Sequence, residues 1–189
     1  MNDWTAIIPL NLGRDCKTRL AGRLSRAERD QLVEAMARHV ITQVRVASGV
    51  GAIHILSPEK PSFAGVHWLK DRGCGLNEEL AAAMASNPVI IIHADLPLLE
   101  TAEVEAVLNA AQRSGAAIAT DRAGTGTNAL ALSDASDFVP AFGKGSFHRH
   151  RMLLPHAGIV ERAGLALDVD TPEDLDLVRH RWPDMKGGR

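Results

Sequence analysis

Cysteine is scarce in this chain. Cys16 and Cys74 are its two cysteines, far apart, outside any CxxC pair and without the dense, even spacing of a disulfide framework. That excludes a stapled secreted mini-domain and predicts a reducing compartment. Long apolar runs are missing too. No window approaches the roughly 18 apolar residues needed to cross a bilayer, and the opening "MNDWTAIIPLNLG" has too short an apolar run for a secretory h-region. The expected location is the cytoplasm, with no membrane partner. Nor is there an excess of charge: 21 Lys and Arg stand against 23 Asp and Glu, leaving a net charge of −2. This balance, with a pI near 6.4, argues against a general grip on nucleic acid or an acidic surface. Any anion this protein binds must be held by a local site.

What is present is a globular composition, 46% hydrophobic and 23% charged over 189 residues. The length predicts one domain, residues 1–189, with residues 184–189 as a frayed tail. Short apolar runs alternate with longer helical patterns, the signature of an α/β domain with a mixed, mainly parallel sheet flanked by helices. Strands are expected at residues 5–9, in "AIHILS", "VHWLK", "VIIIHADLP", "AAIAT", "NALAL" and finally "LALDV". The surest helix follows Ser25, which forms a capping box with Glu28 and leads Leu32, Met36, Val40 and Val44 along one face. "LNEELAAAMA" reads as a helix closed by Asn87-Pro88, Thr101 as the cap of another, and Thr171-Pro172-Glu173-Asp174 as the opening of a terminal helix.

Ligands of open parallel sheets bind at the carboxyl ends of the strands. Asp95 in "HADLP" and Asp168 with Asp170 in "DVDT" fall on that edge if both runs are strands. Three converging carboxylates repel one another unless a cation neutralises them, and hard oxygen donors select Mg²⁺ or Mn²⁺. The competing account is a turn at Asp95 and a helix-opening role for Asp170. "LNLGRDCKTRLAGRLSRAER" carries Arg14, Lys17 and Arg19 in a glycine-containing loop that suits a triphosphate, although it is not a Walker A sequence. A solvated basic face is the plainer reading. "DRAGTGTNAL" and "FGKGSFHRH" offer close backbone approach and the hydroxyls of Thr127 and Ser146, with His148, Arg149 and His150 either adding positive charge or serving as ordinary surface residues. "DRGCGLN" could lay backbone and the Asn77 amide against a base, or be an ordinary loop and cap.

Taken in order, "IIPLNLGRDCKTRL", "GCGLNEEL", "HADLPLL", "DRAGTGTNAL", "FGKGSFHRH" and "LALDVDTPEDL" resemble the phospholactate, phosphoenolpyruvate and 3-phosphoglycerate guanylyltransferase family of coenzyme F-420 biosynthesis. The resemblance implies a nucleotide-diphospho-sugar transferase fold, GT-A-like and Rossmann-related. It implies transfer of GMP from GTP to the phosphate of a small phosphorylated carboxylic acid, with release of pyrophosphate. Asp95, Asp168 and Asp170 would hold Mg²⁺, a pair of ions, with Lys17 as a further catalytic group. Leu10, Gly13 and Arg14 would bind the nucleotide, with Lys17 and Arg19 as the basic residues of the triphosphate loop and Gly75 and Asn77 in the loop near its base. Thr127, Gly143 and Ser146 would bind the acceptor's carboxylate end. The resemblance further implies hand-over of a labile product to the next enzyme of the pathway. Family members often read Pro-Val-Lys after the first strand; here the residues are Pro9-Leu10-Asn11, with Arg14 or Lys17 as substitutes for the lysine. The alternatives are a nucleotidyltransferase for a sugar phosphate or molybdopterin, or a non-catalytic nucleotide-binding module.

Overall fold

The computed structural model describes residues 3–84 and 88–179. Its centre is set by two apolar strands. In β1 (Trp4–Pro9) the Ala-Ile-Ile core is fully buried, and in β4 (Val89–Ile92) no side chain reaches solvent. A β-branched run of this kind fits a pleated surface covered on both faces. Five further strands complete the sheet: β2 (Val50–Ser57), β3 (His67–Lys70), β5 (Ala116–Thr120), β6 (Thr127–Leu132) and β7 (Gly158–Val160), in the order β3-β2-β1-β4-β6-β5-β7. The pairings β1 with β2, β1 with β4, β2 with β3 and β5 with β7 are parallel, while β6 runs antiparallel to β4 and β5. The sheet is mixed and mainly parallel, as expected.

Strand alternation feeds two cores. Ala6, Ile8, Ile90 and Ile92 pack on the side of α1 (Arg26–Val46) and α3 (Thr101–Ser114). Ile7, Ile91, Leu130 and Leu132 face α2 (Leu76–Ala83) and α4 (Ser146–Leu153) through Leu80 and Phe147. The Ser25–Glu28 capping box is formed, and Leu32, Met36, Val40 and Val44 are all buried. Thr171 caps α6 (Pro172–Arg179): its hydroxyl receives the Asp174 N–H at 3.3 Å, and the Asp174 carboxylate receives the Thr171 N–H at 2.9 Å. One helix cap and one strand differ. The cap of α3 is Glu100 rather than Thr101, because the Glu103 side chain accepts the Glu100 N–H at 3.0 Å and fixes the turn one residue earlier. Strand β7 was not anticipated; it is short, with one of its three residues buried. Asn87 and the expected tail at residues 184–189 lie outside the described residues.

The main correction concerns "LALDV". Residues 163–166 form a short helix, α5 (Ala163–Ala166), and among the described residues no strand follows it, so Asp168 and Asp170 do not stand at a strand end. Gly164 explains the turn. A Cβ there would overlap the Leu98 carbonyl and the Glu103 carboxylate, so only glycine lets the segment press onto the start of α3, where its N–H donates to Glu103 Oε1 at 2.9 Å. The chain then passes the end of β4, and Val169 N–H donates to the Asp95 carbonyl at 3.2 Å. Val169 is buried, leaving Asp168 and Asp170 on either side of it at the sheet edge.

Candidate active site

Past the end of β4, His93 N–H donates to the Asn128 carbonyl at 2.9 Å, which directs the following Ala94 and Asp95 over the sheet edge. Opposite, β6 carries a bulge: Ala119 faces Ala129 but Thr120 faces Thr127, so Asn128 is an extra residue. Bulges re-aim side chains. Here the Asn128 amide donates to the Leu165 carbonyl at 2.9 Å and to Asp168 Oδ1 at 3.2 Å. The expected convergence is present: oxygens of Asp95, Asp168 and Asp170 all lie within 4.8 Å of one another.

Lys17 completes the cluster. Its ammonium donates to Asp95 Oδ2 at 2.5 Å and to Asp170 Oδ1 at 2.6 Å. Burial alone would push the Lys17 pKa down, but the two carboxylates more than reverse this and raise it. Burial would likewise lift the Asp95 carboxyl, yet Lys17, with help from His93, holds it below the usual range. Asp168 is different: burial and then the neighbouring Asp95 charge raise its pKa, only partly offset by Asn128. Three carboxylates and one ammonium leave an excess of negative charge, and Asp95 Oδ1 is buried without a hydrogen-bond partner. Hard oxygen donors, surplus charge and an orphaned carboxylate oxygen together fit a divalent cation.

Beside the cluster lies a cavity of about 570 Å³ with Lys17, Asp95 and Asp170 in its wall and Val33, Met36 and Leu56 among its apolar residues. Leu10, Arg14, Lys17 and Gly75 of the expected nucleotide set line it, as does Asn11. Arg14 reaches across to Asp71 at 3.2 Å. Gly13 and Arg19 are exposed and do not line the cavity. Asn77 does not either: its amide accepts the Phe142 N–H at 2.7 Å and donates to the Phe142 carbonyl at 3.2 Å, so both its polar atoms are engaged.

Thr127, Gly143 and Ser146 gather around α4, outside the lining of that cavity. Thr127 is buried with Oγ1 2.9 Å from His150 Nδ1, and Ser146 N–H donates to the Gly143 carbonyl at 2.9 Å. Gly143, at φ 110°, occupies backbone space closed to other residues without strain. His150 is neither an added positive charge nor a surface residue, the two readings its sequence context allowed. It is fully buried, and burial, then Arg149 and His93, lower its pKa to about 4. Arg149 turns back onto the Ala141 and Lys144 carbonyls.

The model of the family described as "Guanylyl transferase CofC like" matches residues 4–181. The chain belongs to the CofC-like guanylyl transferases. A phosphoenolpyruvate guanylyltransferase of Sphaerobacter thermophilus is 37% identical over 94% of this chain and 93% of its own length. The protein of the same name from Conexibacter woesei is 33% identical, covering 97% and 90%. Among solved structures, one from Desulfovibrio desulfuricans G20, named with the nucleotide-diphospho-sugar transferases, superposes with a TM-score of 0.76 over 96% of this chain and 88% of that one. At 16% identity it shows a shared fold.

For a CofC-like guanylyl transferase, three supporting residues escaped sequence reasoning. Asn128, beside the noted Thr127, is aimed by a bulge that no local pattern announces. Glu79 is buried on α2, where its carboxylate accepts the Arg72 and Cys74 N–H groups at 2.9 and 3.2 Å and fixes the loop before Gly75. His93 lines the cavity two residues before Asp95; the motif "HADLP" contained it, but nothing in spacing distinguished it.

Proposed function

We propose that this protein transfers GMP from GTP to the phosphate of a small phosphorylated carboxylic acid, releasing pyrophosphate, as a step of deazaflavin coenzyme F-420 biosynthesis. The acceptor proposed is phosphoenolpyruvate, ahead of 2-phospho-L-lactate and 3-phospho-D-glycerate, following the names of the two relatives above. The observation that carries the reading is the Asp95, Asp168 and Asp170 cluster, bridged by Lys17, at the wall of the cavity in a chain of this family. The described chain builds one sheet, in keeping with action as a single nucleotidyltransferase domain. The free thiols Cys16 and Cys74 fit a cytoplasmic setting, and the reading includes hand-over of the labile product to the next enzyme.

An acceptor phosphate oxygen is already anionic at neutral pH, so no general base is needed to make the nucleophile. Its bond to the α-phosphorus of GTP forms as the bond to the bridging oxygen of the leaving pyrophosphate breaks. The protein's part is alignment of two anions and neutralisation of charge. Lys17 and Arg14 supply positive charge for the triphosphate from the cavity wall, with Arg19 adding charge from the exposed turn that follows, and the apolar wall of Val33, Met36 and Leu56 excludes water beside it. Gly143 and the hydroxyls of Thr127 and Ser146 take the acceptor's carboxylate end. Divalent ions held by Asp95, Asp168 and Asp170, a Mg²⁺ pair with Mn²⁺ as the substitute, would neutralise charge on the reacting phosphates.

The test is purified protein with Mg²⁺, each of the four NTPs and each of the three acids, scored by pyrophosphate release and product mass. The expected result is a GMP adduct with GTP, fastest with phosphoenolpyruvate, and a fall of about a hundredfold or more in Asp170→Asn. No product with any pair, or wild-type turnover in Asp170→Asn, overturns the reading.

A further inference from the structure

Both ring nitrogens of His150 are engaged. Nε2 accepts the Ala141 N–H at 3.0 Å, and Nδ1 lies 2.9 Å from Thr127 Oγ1. A backbone N–H can only donate, so Nε2 must present a lone pair, and a neutral ring then carries its proton on Nδ1. That proton goes to the Thr127 oxygen. The Thr127 hydroxyl, acting as acceptor toward His150, keeps its own hydrogen for another partner. A hydroxyl committed in this way is a donor, which suits an anion.

Two contacts tie this pair to the active edge. Thr127 immediately precedes Asn128, whose amide donates to Asp168 Oδ1 across the bulge. The Phe142 ring lies between His150, at 4.8 Å and edge-on, and His93 of the cavity wall, at 5.4 Å. Residues 141–143 are therefore held from three directions: His150 on Ala141, Asn77 on Phe142 and Arg149 on the Ala141 carbonyl.

Resting on the acceptor assignment above, we infer that His150 is a positioning residue for the acceptor. Through Nε2 it fixes the segment that carries Gly143, and through Nδ1–H it makes the Thr127 hydroxyl a donor to the acceptor's carboxylate.

The direct test is a ¹⁵N correlation spectrum of the wild-type protein at neutral pH, which should show the Nδ1–H tautomer for His150; the Nε2–H tautomer overturns the inference. Kinetics test the consequence. Glutamine at 150 can place an oxygen near Nε2 but offers Thr127 no donor, whereas asparagine can place a donor near Nδ1. His150→Gln and Thr127→Val should each raise KM for phosphoenolpyruvate about tenfold with KM for GTP unchanged, and their combination should be no worse than Thr127→Val alone. His150→Asn keeps a donor toward Thr127 but leaves the Ala141 N–H without its acceptor, so it too should raise that KM, through the Gly143 segment rather than through Thr127. An effect in Thr127→Val with none in His150→Gln overturns the role of His150 and leaves the acceptor assignment standing. An unchanged acceptor KM in Thr127→Val removes the acceptor assignment itself, and the inference with it.

Discussion

Lys17 holds an unusual backbone conformation. At φ 53° and ψ 37° it lies in the left-handed region, which is unfavourable for a residue with a Cβ by about 1 kcal/mol or more. The compensation is visible at the other end of the side chain, where one ammonium sits between Asp95 and Asp170 and the side chain as a whole is nine-tenths covered. Removing one member of such a group leaves uncompensated charge, a larger penalty than the pair's own net worth. Lys17→Met should therefore destabilise the protein in EDTA by about 3 kcal/mol, with Mg²⁺ restoring part of the loss because it replaces the missing positive charge. Thermal unfolding with EDTA and with Mg²⁺, on both proteins, measures this. A variant as stable as wild type in EDTA would show that the ammonium is not what holds these carboxylates together.

At the scale of elements, α5 is where local pattern and structure part. "LALDV" alternates like a strand, yet Gly164 lets residues 163–166 turn as a helix against the first turn of α3. Gly164→Ala should lower stability by about 3 kcal/mol, since the new methyl meets the Leu98 carbonyl, a backbone atom with little room to retreat. Urea unfolding reads it directly, and an unchanged midpoint would mean that the segment packs on α3 with space to spare. The strands and long helices were legible because each carries its own periodicity: the unbroken apolar run of β4 and the i+4 stripe of α1 need no tertiary information. The three aspartates were legible as a set because each follows an apolar run, although only the run before Asp95 is a strand. Their true support was not. A bulge at Asn128 and a glycine at 164 act through residues distant in sequence, and no single stretch records who the partner will be; the Glu79 carboxylate folds back on Arg72 and Cys74 of its own stretch, but no residue pattern there marks it as buried.

For the whole molecule, mild acid should act chiefly through buried imidazoles. His150 has its pKa lowered to about 4 by burial, with Arg149 and His93 adding to the effect, and His54 is lowered by burial and by His67. A histidine whose folded pKa lies below its unfolded value of about 6.5 takes up its proton more readily in the unfolded chain. Its contribution is then fully present above about pH 6.5 and is lost as pH falls toward 4, with no further loss below. For His150 the shift from about 6.5 to about 4 corresponds to at most about 3 kcal/mol. The carboxylates held low by partners, Asp95 and Glu79 among them, weaken the fold only at more acid pH, as they become protonated. The raised Asp168 has the opposite sign, binding its proton more readily when folded. Unfolding free energy measured by urea should thus fall between pH 7 and pH 5 in the wild type. In His150→Asn the neutral-pH value should be lower and the slope over the same interval shallower. Equal slopes in the two proteins would show that His150 is not the group taking up the proton on unfolding.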